Sequence, residues 1–373
     1  MFNRKDKGEG FSSPQSEVEF IAETFEPENS ATSFSTAVED SAEPLDVTVS
    51  APSPPPPAQL TDDASLAPII SPVYGPKTTF GSMPWWSEKN WWKVAESGEG
   101  NDVRAHVGTV GDLALAVTSV RGHKHRLGGA VNQDSYATRT VTIEDGRSFI
   151  IIVVCDGMGS AEFSSYGARL FSQNMSNVLA LTVSGAPDDY QEVLIKYQTE
   201  TLDHVSESVF KYREDEFDAP KINRDQVTVR EIQCTMTFAI VPAFAQDASD
   251  KTRYATMGFI GDSPAFLLEN EEWHRVDENK DGSGIWSSAT EGAINSEKML
   301  LQEVAMRPGS ALLLTSDGVG NYMRFGEKPT ALGHDLATRW AQPVGMLEFI
   351  RDVSFETQSA DDDRTAAVIW VDR

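Results

Sequence analysis

Residues 148–156 read SFIIIVVCD, and the chain continues Gly157-Met158-Gly159. A run of β-branched aliphatics this long, bounded by glycines, reads as a fully buried strand. It stops on a carboxylate held between the strand and a glycine. Taken alone, Asp-Gly is a preferred turn pair, because aspartate tolerates left-handed geometry and glycine supplies positive φ. The rest of the chain decides whether Asp156 is only a turn residue.

Further apolar runs follow the same pattern. Residues 113–120, 234–241, 253–260, 264–269, 272–276, 310–316 and 364–371 read as strands. Residues 161–181 have helical spacing, with Ser160 expected as the N-cap. A second helix is expected from Asp188 to Arg213, with Tyr190, Val193, Leu194, Tyr197, Leu202, Val205 and Val209 on one face. Acidic residues open it and basic residues close it, which suits the helix dipole. Shorter helices are expected around 332–341 and 346–356. The order is strands, long helices, strands, helices, strand. That is not a repeating βαβ pattern, and it predicts an α+β fold with helices packed on antiparallel sheets.

The first hundred residues differ in kind. Twelve of the 19 prolines lie there, and between Lys7 and Lys77 there are twelve acidic residues and no lysine or arginine. Such a composition does not repay the entropy of ordering, so residues 1–80 are expected to be a disordered acidic, proline-rich tail. Residues 81–110 stand apart as a linker or docking segment. They hold Trp85, Trp86, Trp91 and Trp92, half of the eight tryptophans. Residues 83–94 either dock on the chain's own folded body or serve as a linear motif for a protein partner. Residues 111–373 form the expected folded domain.

Charge narrows the function. A net charge of −26 argues against a nucleic-acid or anionic-membrane surface. Cys155 and Cys234, the only cysteines, sit in apolar runs and suggest a reducing compartment. No apolar stretch is long enough to cross a membrane, and no signal peptide is visible, so a cytoplasmic protein is expected.

Aspartates recur at strand edges: Asp134 in VNQDSY, Asp156 after IIIVVC, Asp262 after GFIG, Asp317 after LLLTS, and Asp361–Asp363 before RTAAVIWV. If they converge they repel one another, and hard divalent cations with oxygen ligands best explain such a cluster. Zinc does not fit. The one His-x-His, His123 and His125, lies in the basic segment RGHKHR, a poor zinc site and a better anion site. Among nucleophiles, Cys155 is buried in a strand and no Cys-x5-Arg phosphate loop is present.

Six motifs in order resemble the metal-dependent Ser/Thr protein phosphatases of type 2C, the PPM family, with bacterial members closest in style. They are RGHKHRLGGAVNQDSYA, VVCDGMGS, CTMTFAIV, GFIGDSPAFLL, LLLTSDGVGNYM and ADDDRTAAVIWV, spanning about residues 112–373. The resemblance implies a four-layer α-β-β-α sandwich of two antiparallel sheets flanked by helices. It implies two divalent ions, Mn²⁺ or Mg²⁺, at one edge of that sandwich. Asp156 matches the carboxylate that bridges both ions, and Gly157 the residue that lends a carbonyl. Asp317 and Asp362 match further ligands, with Asp156 the three acidic residues that carry catalysis. Asp134 matches an acidic residue that reaches the metals through water, with Gln133 where many relatives have glutamate. Asp262 matches a ligand of a third, looser ion, and Asn321 replaces a second aspartate of that site. His125 and Arg126 are the expected phosphate-binding residues, against a solvated basic loop as the plain alternative. Pro264 replaces an arginine common after Gly-Asp-Ser, and Arg364 is expected to pair with Asp363 at the surface.

The reaction the resemblance implies is hydrolysis of phosphoserine or phosphothreonine by in-line attack of a hydroxide held between two ions roughly 3.5–4 Å apart, with no phosphoenzyme. The substrate is then a phosphoprotein made by a Ser/Thr kinase. The alternative is a pseudophosphatase or signalling scaffold that binds partners through the tail and the tryptophans. A metal-dependent nuclease is disfavoured by the acidic charge.

Overall fold

In the computed structural model of the 373-residue chain, the described residues are 73–74, 102–216, 228–247, 249–276, 292–294, 296–326, 328–357 and 360–372. The Trp-rich segment 83–94, and the tail 1–80 apart from residues 73–74, lie outside them. Strands β1 (Val73–Tyr74), β2 (Val103–Val110) and β3 (Leu113–Val120) precede the short helix α1 (His123–Gly128). Strands β4 (Ser135–Thr142) and β5 (Ser148–Cys155) lead to helices α2 (Ser164–Gly185), α3 (Tyr190–Lys196) and α4 (Gln198–Glu216). Next come β6 (Met236–Pro242), β7 (Arg253–Ile260), β8 (Ala265–Glu269), β9 (Glu272–Arg275), β10 (Leu300–Met306) and β11 (Ala311–Thr315). The single turn α5 (Asp317–Gly320) is followed by a small hairpin, β12 (Arg324–Phe325) and β13 (Lys328–Pro329). Helices α6 (Ala331–Arg339) and α7 (Met346–Val353), the short β14 (Glu356–Thr357) and β15 (Arg364–Val371) complete the order.

Two antiparallel sheets carry the fold. One has the order β10-β7-β6-β5-β4 and the other β2-β3-β15-β11-β8-β9. Helix α2 lies on β4 and β5, and α4 packs on α2; α7 lies across β2, β3 and β15 on the other side. The result is the α-β-β-α sandwich expected from the sequence. Three apolar cores fill it: one under α2 and α4, one between the sheets, and one under α6 and α7.

Strand parity explains how the site is placed. In β5, Phe149, Ile151, Val153 and Cys155 enter the core under α2, while Ile150, Ile152 and Val154 enter the core between the sheets. Successive side chains point to opposite faces. Asp156, the next even residue, therefore continues on the inter-sheet side, just where the sandwich ends. In β15, Ala367, Ile369 and Val371 face the other sheet, so Asp363 and Thr365 share that face. In β11, Leu312 and Leu314 do the same, which brings Ser316 to the same end.

Several elements depart from the sequence reading. Helix α2 starts at Ser164, not after Ser160; Phe163 is the residue before it and makes no side-chain cap. The Phe163 amide instead donates to the Glu231 carbonyl at 2.7 Å, which holds residues 160–163 in turns. The long helix expected from Asp188 breaks at Tyr197, which leaves helical geometry at ψ 26° and lies 39% exposed. Strand β2 falls within the segment 81–110, where patterning gives no strand. Val73–Tyr74, within the expected tail, pairs in parallel with β14.

Candidate active site

The expected carboxylates meet at one end of the sandwich. The Asp317 amide, at the start of α5, donates to a carboxylate oxygen of Asp156 at 3.1 Å. Asp156 is raised well above the usual carboxylate range by burial first, and then by Asp134 and Asp317. Burial and repulsion from Asp363 raise Asp134 in the same way, against hydrogen bonds from the Ser316 and Thr365 hydroxyls. Asp317 is also raised by burial and feels both Asp362 and Asp262. Six carboxylates from five segments thus act on one another. Asp262 is exposed at the rim of this group.

The backbone around these side chains leaves little slack. Gly157 pairs with Cys234 in an isolated antiparallel bridge, and the Asp156 carbonyl accepts from the Thr235 amide at 2.8 Å. A Cβ at Gly157 would stand 2.5 Å from the Gln133 carbonyl oxygen. That close approach requires glycine. The Ser263 carbonyl accepts from the Thr237 hydroxyl at 2.6 Å, and the Pro264 carbonyl from Thr315 Oγ1 at 2.9 Å. These bonds fix the Asp262 turn against both sheets.

Asp363 is the node that sequence reasoning passed over. Its Oδ1 accepts from the Gly122 amide at 2.6 Å. Its Oδ2 accepts from the Gln133 amide at 2.5 Å and meets His125 Nδ1 at 2.8 Å. The first and last motifs, 230 residues apart at Gln133 and Asp363, are joined there. The run Asp361-Asp362-Asp363 was a signal for such a role, but nothing in it tells which aspartate turns inward. His125, Asp362 and Asp363 also form a group whose ligand atoms lie within 4.8 Å of one another. Asp363 is engaged by three donors, whereas the neighbouring Asp362 is only half-buried.

The basic segment is not a solvated loop. It forms α1, and His125 and Arg126 are both buried. The Lys124 amide donates to the Asp361 carbonyl at 2.9 Å, which seats α1 on the aspartate loop. Arg126 Nε lies 3.9 Å from Asp102. His123 is held down to about 4, first by burial and then by Arg364 and Arg126, so it is neutral at physiological pH. Arg364 does not pair with Asp363 at the surface. By parity it points to the outer face, is 1% exposed, donates to the Ala360 carbonyl and lies 5.0 Å over the Phe355 ring. Burial lowers it to about 10, which leaves it charged.

The donor set fits hard divalent cations. Asp134 Oδ2 is buried with no hydrogen-bond partner. A buried carboxylate oxygen left in that state is costly unless a cation or water meets it. The repulsion that raises Asp134, Asp156 and Asp317 is of the kind a cation relieves, and all the donors are oxygens.

Two antiparallel sheets with an acidic, oxygen-rich cluster between their ends form a candidate divalent-metal site. Residues 121–352, more than half of the chain, match the family model described as protein phosphatase 2C. This chain belongs to that family, a divalent-metal-dependent family of phosphoprotein phosphatases. Among solved structures it is similar to the S. agalactiae serine/threonine phosphatase, at 15% identity over 70% of this chain and 100% of that one, with a TM-score of 0.44. It is also similar to PppA of Pseudomonas aeruginosa, at 20% identity over 69% and 97% of the two chains, TM-score 0.40. The phosphatase Stp1 of Staphylococcus aureus matches at 12% identity over 72% and 98%, TM-score 0.41. No curated protein matches in sequence.

Proposed function

We propose that this chain is an active metal-dependent Ser/Thr protein phosphatase that hydrolyses phosphoserine and phosphothreonine in a phosphoprotein made by a kinase. The observation that carries this reading is the meeting of Asp156 and Asp317 from opposite sheets, beside Asp134 with its unbonded buried oxygen. Asp156, Asp317 and Asp362 are the proposed catalytic carboxylates. The proposed metal ligands are Asp134, Asp156, the Gly157 carbonyl, Asp317 and Asp362, with Asp262 for a third, looser ion. Two ions, Mn²⁺ or Mg²⁺, supply Lewis acidity and a water of lowered pKa when bound.

The chain's own residues do the rest. The Asp317 amide orients Asp156 and favours its ionised form. Asp363 holds the first motif beside the last, so that Asp134 and Asp362 are carried on one rigid unit. Asn321, whose Nδ2 lies 3.5 Å from Asp317 Oδ2, steadies that carboxylate where a relative would add another charge. His125 and Arg126 are the side chains proposed to meet phosphate oxygens, supported by their place on α1 against the aspartate loop. Both are engaged by carboxylates, so phosphate contact requires that His125 or Arg126 exchange Asp363 or Asp102 for substrate.

Residues 111–373, with β2 added from the segment 81–110, are proposed as the catalytic domain, residues 1–80 as an acidic tail, and the rest of 81–110 as a docking segment. Among the described residues no helix is long and apolar enough to cross a membrane. A cytoplasmic signalling role is proposed on the acidic charge and the two unpaired, buried cysteines. The scaffold alternative needs a damaged site, and the presence of Asp156, Asp317 and Asp362 argues against it. The test is turnover of p-nitrophenyl phosphate with Mn²⁺. Metal-dependent release is expected, and a wild-type chain with no turnover overturns the reading.

A further inference from the structure

Trp85, Trp86, Trp91 and Trp92 take no part in the chemistry above and lie outside the described residues. The chain is fixed on both sides of them. Upstream, β1 runs parallel to β14 with Tyr74 opposite Thr357, and β14 begins just after α7 ends at Val353. Downstream, the chain reappears at Asp102, whose carbonyl accepts from the Arg121 amide at 2.8 Å and whose carboxylate pairs with Arg121 at 2.5 Å. It then enters β2, one of the strands that α7 packs against. The intervening chain therefore leaves beside the end of α7 and returns on a strand under α7's own face of the sheet.

That face is apolar and open at its edge. In the β2–β3 register Val103 stands opposite Val120, and Val107 opposite Ala116. Residues directly opposite share a face, and Val120 and Ala116 belong to the core under α7. Val103 and Val107 thus point to the α7 side, yet they are 39% and 48% exposed. On α7, Met346, one turn before the buried Phe349, is 41% exposed. β2 is the edge strand of its sheet. Exposed apolar side chains on an edge strand and its neighbouring helix mark a surface that something covers.

We infer that the segment Trp85–Trp92 docks on this face, over β2 and α7 of its own chain. Trp85 follows Tyr74 by eleven residues, and Trp92 precedes Val103 by eleven. At ~3.3 Å per residue each arm reaches up to about 36 Å, whereas α7 rises only about 12 Å along its length. Both arms therefore span the face with slack. A segment tethered at both ends beside its site has an effective concentration that a free partner does not match. The tryptophans supply apolar cover for Val103, Val107 and Met346, and Lys89 and Lys93 suit a strongly acidic body.

The inference does not rest on the phosphatase reading, and its test uses the full chain. Acrylamide quenching of tryptophan fluorescence is measured for wild type and for a variant carrying Trp85→Phe, Trp86→Phe, Trp91→Phe and Trp92→Phe. The difference isolates the four tryptophans. They are expected to be severalfold less quenchable than free tryptophan, in a chain that sediments as a monomer. Met346→Asp and, separately, Val107→Asp are expected to remove that protection and to leave the four-Phe variant unchanged. Far-UV circular dichroism of both surface variants checks that the fold is kept. Tryptophans as quenchable as free tryptophan in wild type overturn the inference. So does protection that survives both substitutions, or protection lost on dilution with a dimer-to-monomer change, which would assign the face to a second copy.

Discussion

The main-chain amide of Asp317 donates to a carboxylate oxygen of Asp156 across 3.1 Å. Asp156 ends a strand of the five-stranded sheet, and Asp317 follows a strand of the six-stranded one. One hydrogen bond therefore ties the two sheets at the site. It favours the ionised carboxylate, yet burial and the charges of Asp134 and Asp317 outweigh it, and Asp156 is raised. Without cations the site holds more negative charge than its surroundings can stabilise.

Asp156→Asn tests that balance. An amide oxygen can still accept from the Asp317 amide, so the fold is expected to stand. Turnover is expected to fall by roughly 100-fold or more, as when a group that stabilises developing charge is removed. In metal-free buffer near neutral pH the variant is expected to melt higher than wild type. Steady-state kinetics and thermal melts in chelator check both parts; a variant that keeps wild-type turnover removes Asp156 from the mechanism.

Stability should depend on pH in a stated sense. Asp134 and Asp156 have raised pKa values in the folded, metal-free protein. Between the unfolded carboxylate value of about 4 and the raised folded values, the folded state binds more protons than the unfolded one. This contribution is full below the unfolded value and is lost as pH rises through the folded one. The metal-free protein is therefore expected to lose melting temperature as pH rises from mildly acidic to neutral. Added Mn²⁺ binds the ionised carboxylates, so its stabilising effect should grow over the same range. Melts across pH with and without metal check this, and a metal-independent profile contradicts it.

Asp363→Ala should damage stability and chemistry together. It leaves the Gly122 and Gln133 amides and His125 without their acceptor. Removing one partner of a buried, charged network costs about 3–5 kcal/mol, read as a lower denaturant midpoint. Asp363→Asn keeps one acceptor oxygen and should lose less. Equal midpoints for wild type and Asp363→Ala would show that the first and last motifs are held by other contacts.

Gly122→Ala tests how tightly the aspartate loop is seated. A Cβ there would stand 2.2 Å from the Asp362 carbonyl carbon and 2.5 Å from the Asp361 carbonyl oxygen. Both are backbone atoms and cannot swing aside. Overpacking of this kind costs about 1–3 kcal/mol, and here it pushes on a proposed ligand. Weaker Mn²⁺ binding by calorimetry is expected; unchanged affinity would mean that Asp362 is not a ligand.

The sequence carried the inner strands well, because their burial on both faces leaves an unbroken aliphatic signal. β3 and β15 fall on the residues expected, and β5 within one residue. Strand β2 escaped, since VRAHVGTV has one face against the Tyr136 side and one at an open edge, and neither face is purely apolar. Strand β10, LLQEVAM, is also an edge strand with mixed burial. Asp156, Asp262, Asp317 and Asp361–Asp363 were legible as a set because each follows or precedes an inner strand, whereas Asp134 precedes the edge strand β4. The inward turn of Asp363 was not, since it depends on amides that the Gly122 and Gln133 loops present only after folding. Nor was the burial of Arg364, which follows from strand parity and from the Phe355 ring beneath its guanidinium.

Phosphate release from a phosphothreonine peptide, followed as Mn²⁺ is titrated into metal-free wild type and into Asp156→Asn side by side, tests the central claim most directly. The account predicts a rate that saturates with Mn²⁺ in wild type, returns to background in chelator, and stays at background in the variant. Release that persists in chelator, or that Asp156→Asn leaves intact, would contradict it.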